Sequence, residues 1–83
     1  MNIIVKLEVI TPERTLYSGS VESVTVPGTK GEFMVLHNHA PIISTLEEGN
    51  IKIVGEHGGS ESIEIAGGII EVKKNHIIVL ADV

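Results

Sequence analysis

The stretch IIVKLEVI, residues 3–10, has the side-chain alternation of a β-strand with one fully apolar face. One face carries Ile3, Val5, Leu7 and Val9, and the other carries Lys6 and Glu8 together with Ile4 and Ile10. Successive side chains of a strand point to opposite sides, so this period of two predicts a strand that covers an apolar core. The following residues 11–14, TPER, should end it, because proline cannot donate to a sheet ladder and presets a turn.

Short apolar runs separated by turn residues continue along the rest of the chain. They predict strands over residues 15–17, 21–26, 32–36, 42–46, 51–54, 62–66, 69–73 and 76–80. Gly49 lies in a predicted turn where it is free to adopt positive φ, and Gly67-Gly68 indicates a bulge or a close backbone approach. About eight to ten short strands, with nothing helical longer than about one turn, predict an all-β sandwich or flattened barrel.

Composition supports a single small β domain over residues 1–83. The apolar residues are mostly Ile, Val and Leu, with one Phe, one Tyr and no Trp, and β-branched side chains suit a pleated, half-buried surface. A domain of this length buries roughly 60–65% of the surface that its unfolded chain exposes. The core should therefore be thin, and stability should be marginal.

Charge and cysteine content exclude several classes of function. The net charge is −5 and the six Lys and Arg residues are scattered, whereas nucleic-acid binding draws on clustered positive charge. The absence of cysteine removes disulfides and favours a reducing, intracellular setting. We find no targeting segment and no apolar run near the roughly 18 residues that would span a bilayer. We therefore expect no direct membrane insertion.

The segment VPGTKGEFMVLHNHAP, residues 26–41, is the richest in unusual features. His37 and His39 have the i, i+2 spacing that would place two metal ligands on one face of a strand, with Glu32 or a distant histidine as a third ligand. A zinc site needs three or four preorganised ligands, and the two other histidines lie in unrelated hairpins. We therefore interpret the pair as polar loop residues and predict no metal.

Other catalytic or cofactor chemistry finds little support in the residues. The acids occupy alternating outward positions that are typical of a solvated face: Glu8, Glu22, Glu61, Glu64 and Glu71. No serine lies in a Gly-x-Ser-x-Gly elbow, and residues 28–31, GTKG, lack the Gly-Lys-Ser or Gly-Lys-Thr ending of a phosphate loop. Lys73-Lys74 at a hairpin tip leaves one alternative open, a lipoyl or biotinyl carrier domain, although a charged turn that protects a sheet edge explains the lysines equally simply.

The same segment also has the composition of a protein-binding surface. Met34, Leu36, Ile42 and Ile43 lie near the conformationally fixed Pro41, and Glu32 follows a glycine. Apolar anchors beside an isolated charge are typical of such surfaces. Two faces packed inside a sandwich would give a similar pattern, so both interpretations stay open.

An ordered set of motifs along nearly the whole chain resembles the epsilon subunit family of F-type ATP synthase, in its amino-terminal β-sandwich domain. In the first half of the chain the motifs are residues 7–11, Tyr17-Ser18-Gly19, residues 21–24, Pro27-Gly28, Gly31-Glu32 and His39-Ala40-Pro41. In the second half they are Gly49 before residues 51–53, and the segment 62–80, which contains Gly67-Gly68 and leads into residues 79–82. The resemblance implies a ten-stranded flattened sandwich, in agreement with the strand pattern.

The resemblance also implies a function. Members of the family are non-catalytic rotor subunits that bind the gamma subunit, rest on the polar loops of the membrane rotor ring, and help couple proton flow to ATP synthesis beneath the catalytic head. It implies a peripheral location on the cytoplasmic face of a bacterial membrane, and no cofactor. The residues expected to face the ring are Gly31, Glu32, His39, Ala40 and Pro41.

Two departures from the family pattern limit what is carried over. The family commonly has Pro-Gly before His-Ala-Pro, whereas this chain has His37-Asn38; asparagine tolerates positive φ and should partly replace the glycine. The family's carboxy-terminal helical hairpin, which inhibits ATP hydrolysis and in some members binds ATP, has no counterpart in these 83 residues. We therefore expect neither activity of this chain.

Overall fold

Eight β-strands and no helix make up residues 4–83, the part of the chain that the computed structural model describes. The strands are β1 (Val5–Ile10), β2 (Thr15–Gly28), β3 (Gly31–Val35), β4 (Ile42–Leu46), β5 (Gly49–Gly55), β6 (Ser60–Ile65), β7 (Gly67–Lys73) and β8 (His76–Asp82). Ile3, predicted to belong to the first strand, lies outside the described residues. Within residues 4–83 there is no helix of the length and apolarity needed to cross a bilayer.

One continuous sheet folds back on itself to enclose the core. Its order is β1-β8-β7-β4-β2-β5-β6, with β3 also paired to β2, and a further pairing of β1 with β2 joins the first strand of this path to its fifth, so the sheet closes on itself. The molecule measures 35 × 23 × 18 Å along its principal axes. The predicted all-β class and flattened sandwich or barrel are therefore confirmed.

The structure has eight strands in residues 4–83, fewer than the ten that the family resemblance implied, and one reason is that β2 is long and continuous. Separate strands were predicted over residues 15–17 and 21–26, with a break at Ser18-Gly19, but these two residues lie in the ladder opposite Glu8 and Leu7 of β1. β2 then continues past Val21 to pair with β5 and β3. Since β1 satisfies the backbone groups of the first half of β2, the chain has no need to turn there.

The core is built from side chains that alternate along the strands, apart from an irregularity in β2 where Ser23 and Val24 are both buried. Val5, Leu7 and Val9 are buried, as the alternation of the first strand predicts. The other buried apolar residues come from every other strand: Val21, Val24, Val26, Val35, Leu46, Ile51, Ile53, Ile65, Ile70, Val72, Ile77, Val79 and Ala81. Nearly all are β-branched or leucine, so the core has almost no polar groups to satisfy.

Close packing requires glycine at Gly68 and at Gly49. A Cβ added to Gly68 would lie 3.1 Å from the Ala81 Cα and against the Leu80 carbonyl oxygen, which confirms the close backbone approach predicted there. The prediction for Gly49 was wrong: it has no positive φ. A Cβ at Gly49 would instead lie 2.9 Å from Pro27 Cβ, so the position lacks room for a side chain.

The predicted turn between the last two strands is confirmed. Lys73 pairs with His76, and the two residues between them, Lys74 and Asn75, have φ of 52° and 61°. Positive φ at both central residues of a two-residue hairpin is the signature of a type I′ turn. Asparagine accepts this conformation readily, but lysine does so at a cost.

We therefore expect Lys74→Asn to stabilise the domain by about 0.5–1 kcal/mol, because asparagine at the first central position relieves that cost. The midpoint of thermal unfolding should rise by about 2–8 °C. Lys30→Asn is the matched control, since Lys30 is exposed and has no positive φ, so it makes the same chemical change without the conformational gain. Equal midpoints for the two variants would contradict this explanation.

Candidate functional site

The candidate site begins at a tight glycine turn between β2 and β3. Gly28 pairs with Gly31, and Gly31 has a φ of 131°. A Cβ on Gly28 would lie 2.7 Å from the Gly31 carbonyl oxygen and 2.8 Å from Phe33 Cε1. The turn therefore requires glycine at both positions, and it fixes the position of Glu32 one residue further on.

Glu32 projects from β3 with its carboxylate accessible to solvent. Its side chain is 55% exposed, and Oε2 lies 3.4 Å from Nζ of Lys52, whose side chain is 60% exposed. An ion pair this exposed contributes about 0–1 kcal/mol and is screened by salt. The pair with Lys52 therefore holds the Glu32 carboxylate only weakly.

The second part of the site is the loop of residues 36–41 between β3 and β4. The His39 backbone N–H donates to the Leu36 carbonyl over 3.2 Å, and Nδ1 of His39 donates to the Ala40 carbonyl over 2.7 Å. Asn38 has a φ of 63°, which confirms that asparagine takes positive φ here. Ala40 and Pro41 are exposed at the surface.

The five residues expected to face a partner form two groups. Gly31 and Glu32 lie where β3 begins, opposite Pro27 and Gly28, whereas His39, Ala40 and Pro41 follow the other end of β3. The four steps from residue 32 to residue 36 span roughly 14 Å of extended chain. The strand predicted over residues 32–36 already separates Glu32 from the His39-Ala40-Pro41 loop, and the structure adds that this strand is held against β2.

The two histidines of this segment do not lie on a strand. His37 and Asn38 occupy a turn, so the i, i+2 spacing does not place the imidazoles of His37 and His39 on one strand face. Among residues 4–83, no three or more His, Asp or Glu side chains cluster closely enough to hold a metal ion. Nδ1 of His39 is already engaged by the Ala40 carbonyl.

An exposed apolar surface lies on the neighbouring strands. Ile43 is 73% exposed on β4, and Ile69 of β7 pairs with Leu80 of β8 on the same outward face. Sequence reasoning identified Ile43 but missed Ile69 and Leu80, which resembled core residues of continuous apolar runs. Glu71 could have revealed the exposure of Ile69, because residues two apart on a strand share a face and Glu71 faces outward.

The hairpin tip of β7 and β8 carries an exposed group of charges. Lys73, Lys74, Glu71, His76 and Ile78 line a shallow recess there. His76 Nε2 lies 2.8 Å from Oε1 of Glu8 on the adjacent parallel strand β1. The two lysines have no ion-pair partner within residues 4–83.

Comparison with known proteins gives a match over almost the whole chain. Residues 4–83 match the model of the family described as the β-sandwich domain of the ATP synthase delta/epsilon chain. A curated relative, the ATP synthase epsilon chain of Bordetella petrii, is 42% identical over 77 residues, which are 93% of this chain and 55% of the relative. The chain therefore spans little more than half the length of that relative.

Solved structures show the same fold at low sequence identity. A chain in the Euglena gracilis mitochondrial ATP synthase, solved as OSCP/F1/c-ring in rotational state 1, superposes with a TM-score of 0.90 at 19% identity, covering 98% of this chain and 52% of that one. A chain in the central stalk/c-ring structure of the Tetrahymena thermophila mitochondrial enzyme gives 0.77 at 15% identity, covering 94% and 63%. These likenesses confirm the architecture.

Proposed function

Because the chain belongs to the family of ATP synthase delta/epsilon-chain β-sandwich domains, we propose that it is a non-catalytic central-stalk subunit of a proton-translocating ATP synthase. It binds the gamma subunit and the membrane rotor ring, turns with them beneath the catalytic head, and helps couple proton flow to ATP synthesis. The observation that carries this proposal is the family match over residues 4–83. The match favours a rotor subunit over a lipoyl or biotinyl carrier.

The fold suits a part that transmits torque. Every strand pairs with at least one other strand, and β1 pairs with both β2 and β8, so the two ends of the described chain are held in one sheet. Close-packed protein interiors deform little and transmit strain. A rotor subunit needs that rigidity because a soft connection would absorb the torque.

The surface offers complementary contacts for such partners. Glu32 presents a carboxylate, and the basic and amide groups expected on ring loops would bind it. The His39-Ala40-Pro41 loop at the other end of β3 supplies a second contact, so the proposed ring-facing side extends along the whole strand. The outward apolar residues Ile43, Ile69 and Leu80 give a further face for protein contact.

Location follows from these partners. We propose a peripheral position on the cytoplasmic face of a bacterial membrane, with the rotor ring holding the subunit there. The direct test is co-expression with gamma and the ring subunits of the same cell, followed by purification through a tag on this chain. Recovery of both partners is expected, and recovery of neither would refute the proposed function.

We expect Glu32→Lys to weaken association with the isolated ring at least tenfold while leaving the fold intact. The substitution replaces attraction to basic ring loops by repulsion, and surface changes usually alter stability by no more than about 0.5 kcal/mol. Binding to the ring in detergent, measured at two salt concentrations, tests this because exposed charge pairs weaken as salt rises. Glu56→Lys, in the glycine-rich tip between β5 and β6, is the matched control. Equal ring affinity for wild type and Glu32→Lys would remove Glu32 from the site.

A further inference from the structure

A pair of asparagines joins the loop of residues 36–41 to the hairpin turn between β7 and β8. The Asn38 backbone N–H donates to Oδ1 of Asn75 over 2.7 Å, and Nδ2 of Asn75 lies 3.4 Å from Oδ1 of Asn38. The two residues are 37 positions apart in the chain. The 2.7 Å contact is a short, well-formed hydrogen bond, and the reciprocal one is weaker.

Asn75 is itself firmly placed. Its backbone carbonyl accepts a hydrogen bond from the Lys6 N–H over 2.9 Å. Lys73 and His76, which flank the two-residue turn, pair across the hairpin. The turn is therefore tied to β1 as well as to β7 and β8. The Asn75 side chain extends from this fixed point to the loop.

The hydrogen bond from Asn75 stabilises an unfavourable backbone conformation at Asn38. Asn38 adopts positive φ at 63°. Glycine enters that region freely, whereas even asparagine does so less readily. A hydrogen bond to the Asn38 amide in that conformation stabilises it over the alternatives.

We propose that Asn75 is a positioning residue that fixes the conformation of the His39-Ala40-Pro41 loop through the Asn38 backbone amide. The consequence for docking rests on the proposed function: a loop already held in its binding conformation loses less conformational entropy when a partner binds. The contact itself does not depend on that function, so the two are tested separately.

The experiment compares Asn75→Gly with Asn75→Asp in the 83-residue chain. Glycine accepts the φ of 61° and suits the second central position of a type I′ turn, so the hairpin is kept while the acceptor is lost. Aspartate keeps an oxygen that accepts from the Asn38 backbone N–H and tolerates the same φ, so it should retain this hydrogen bond while losing only the weaker donation from Nδ2 to Oδ1 of Asn38. Lys74→Asn, at the neighbouring turn position, controls for altered turn chemistry.

Amide hydrogen exchange at Asn38, followed by NMR, is the primary measurement. In Asn75→Gly the exchange rate of this amide should rise about fivefold to tenfold, as expected for loss of one ordinary hydrogen bond, with little change at core amides such as Ile77. Asn75→Asp and Lys74→Asn should exchange as wild type does. Unchanged exchange in Asn75→Gly, or equally fast exchange in Asn75→Asp, would overturn the inference.

Ring association of the same variants tests the consequence for docking. Asn75→Gly should bind the ring about threefold to tenfold more weakly than Asn75→Asp, since partner binding must then order the loop. Equal affinity of these two variants would overturn the role of Asn75 in docking. If wild-type protein binds no ring at all, the proposed function fails, and the exchange rates alone decide the positioning role.

Discussion

Replacing Leu7 with alanine should lower the midpoint of thermal unfolding by about 12–24 °C. Leu7 is 0% exposed in the centre of β1, facing a core contributed by every other strand. Leucine-to-alanine changes at such sites cost about 3 kcal/mol or more, because the removed methyl groups leave a cavity that the surrounding strands cannot fill. In a domain of this size each kcal/mol corresponds to about 4–8 °C.

Leu36→Ala is the matched control for this substitution. Leu36 is 51% exposed just after β3, so the same chemical change there removes few packing contacts and should shift the midpoint by no more than about 4 °C. Both midpoints are measured by circular dichroism at one protein concentration. A similar shift for the two variants would show that the core does not close around β1 as described.

Gly68→Ala should also be strongly destabilising, by about 2–3 kcal/mol, although it adds only one methyl group. The new Cβ would press on the Leu80 carbonyl oxygen and would lie 3.1 Å from Ala81 Cα. Both contacts are with backbone, which cannot rotate away as a side chain can, so β7 and β8 would have to separate locally. Overpacking of this kind lowers the free energy of unfolding by about 1–3 kcal/mol, and we expect a value in the upper part of this range because the clash is with backbone atoms.

Gly59→Ala isolates the steric effect. An added Cβ at Gly59 meets no atom within 4 Å and its φ is not positive, so the variant should differ from wild type by no more than about 0.5 kcal/mol. Urea unfolding of both variants, analysed with a common slope, gives the comparison. Equal midpoints for Gly68→Ala and Gly59→Ala would mean that β7 and β8 accommodate the methyl group without strain.

The sequence alone predicted most of the fold because alternation is a local property. Val5, Leu7 and Val9 are buried as expected, and residues 11–14 turn where proline indicates. Thr11 closes that turn with its own hydroxyl, which accepts from the Arg14 backbone N–H over 3.1 Å. Such features depend on residues close together in the chain, so the pattern was sufficient.

Features that depend on distant residues were not predictable in this way. Gly49 looked like a turn residue, yet its need for glycine comes from Pro27 in another strand. Ser18-Gly19 has turn chemistry, but pairing with β1 keeps it extended. Local propensity loses to tertiary context at both positions.

The candidate site also has some features that follow from local sequence and others that depend on distant residues. The family resemblance selected Glu32 and His39, and the strand predicted over residues 32–36 already separated them, but the pairing that positions this strand against β2 required the structure. The hydrogen bond between Asn38 and Asn75 joins residues 37 positions apart, so no local pattern pointed to it. Whether these residues bind a partner stays a prediction for the experiments above.

The parallel pairing of β1 with β8 has a consequence for how the domain folds. Lys6 pairs with His76, so the first and last strands meet across nearly the full length of the chain. Loop-closure entropy must be lost before such a contact forms, and sheets dominated by distant pairings fold in milliseconds to seconds. On a ribosome, β1 could form its hairpin with β2 early but would keep one edge open until β8 emerged. The nascent chain therefore carries an unpaired strand edge while the residues between β2 and β8 are synthesised, which is when it is most exposed to mispairing with other chains.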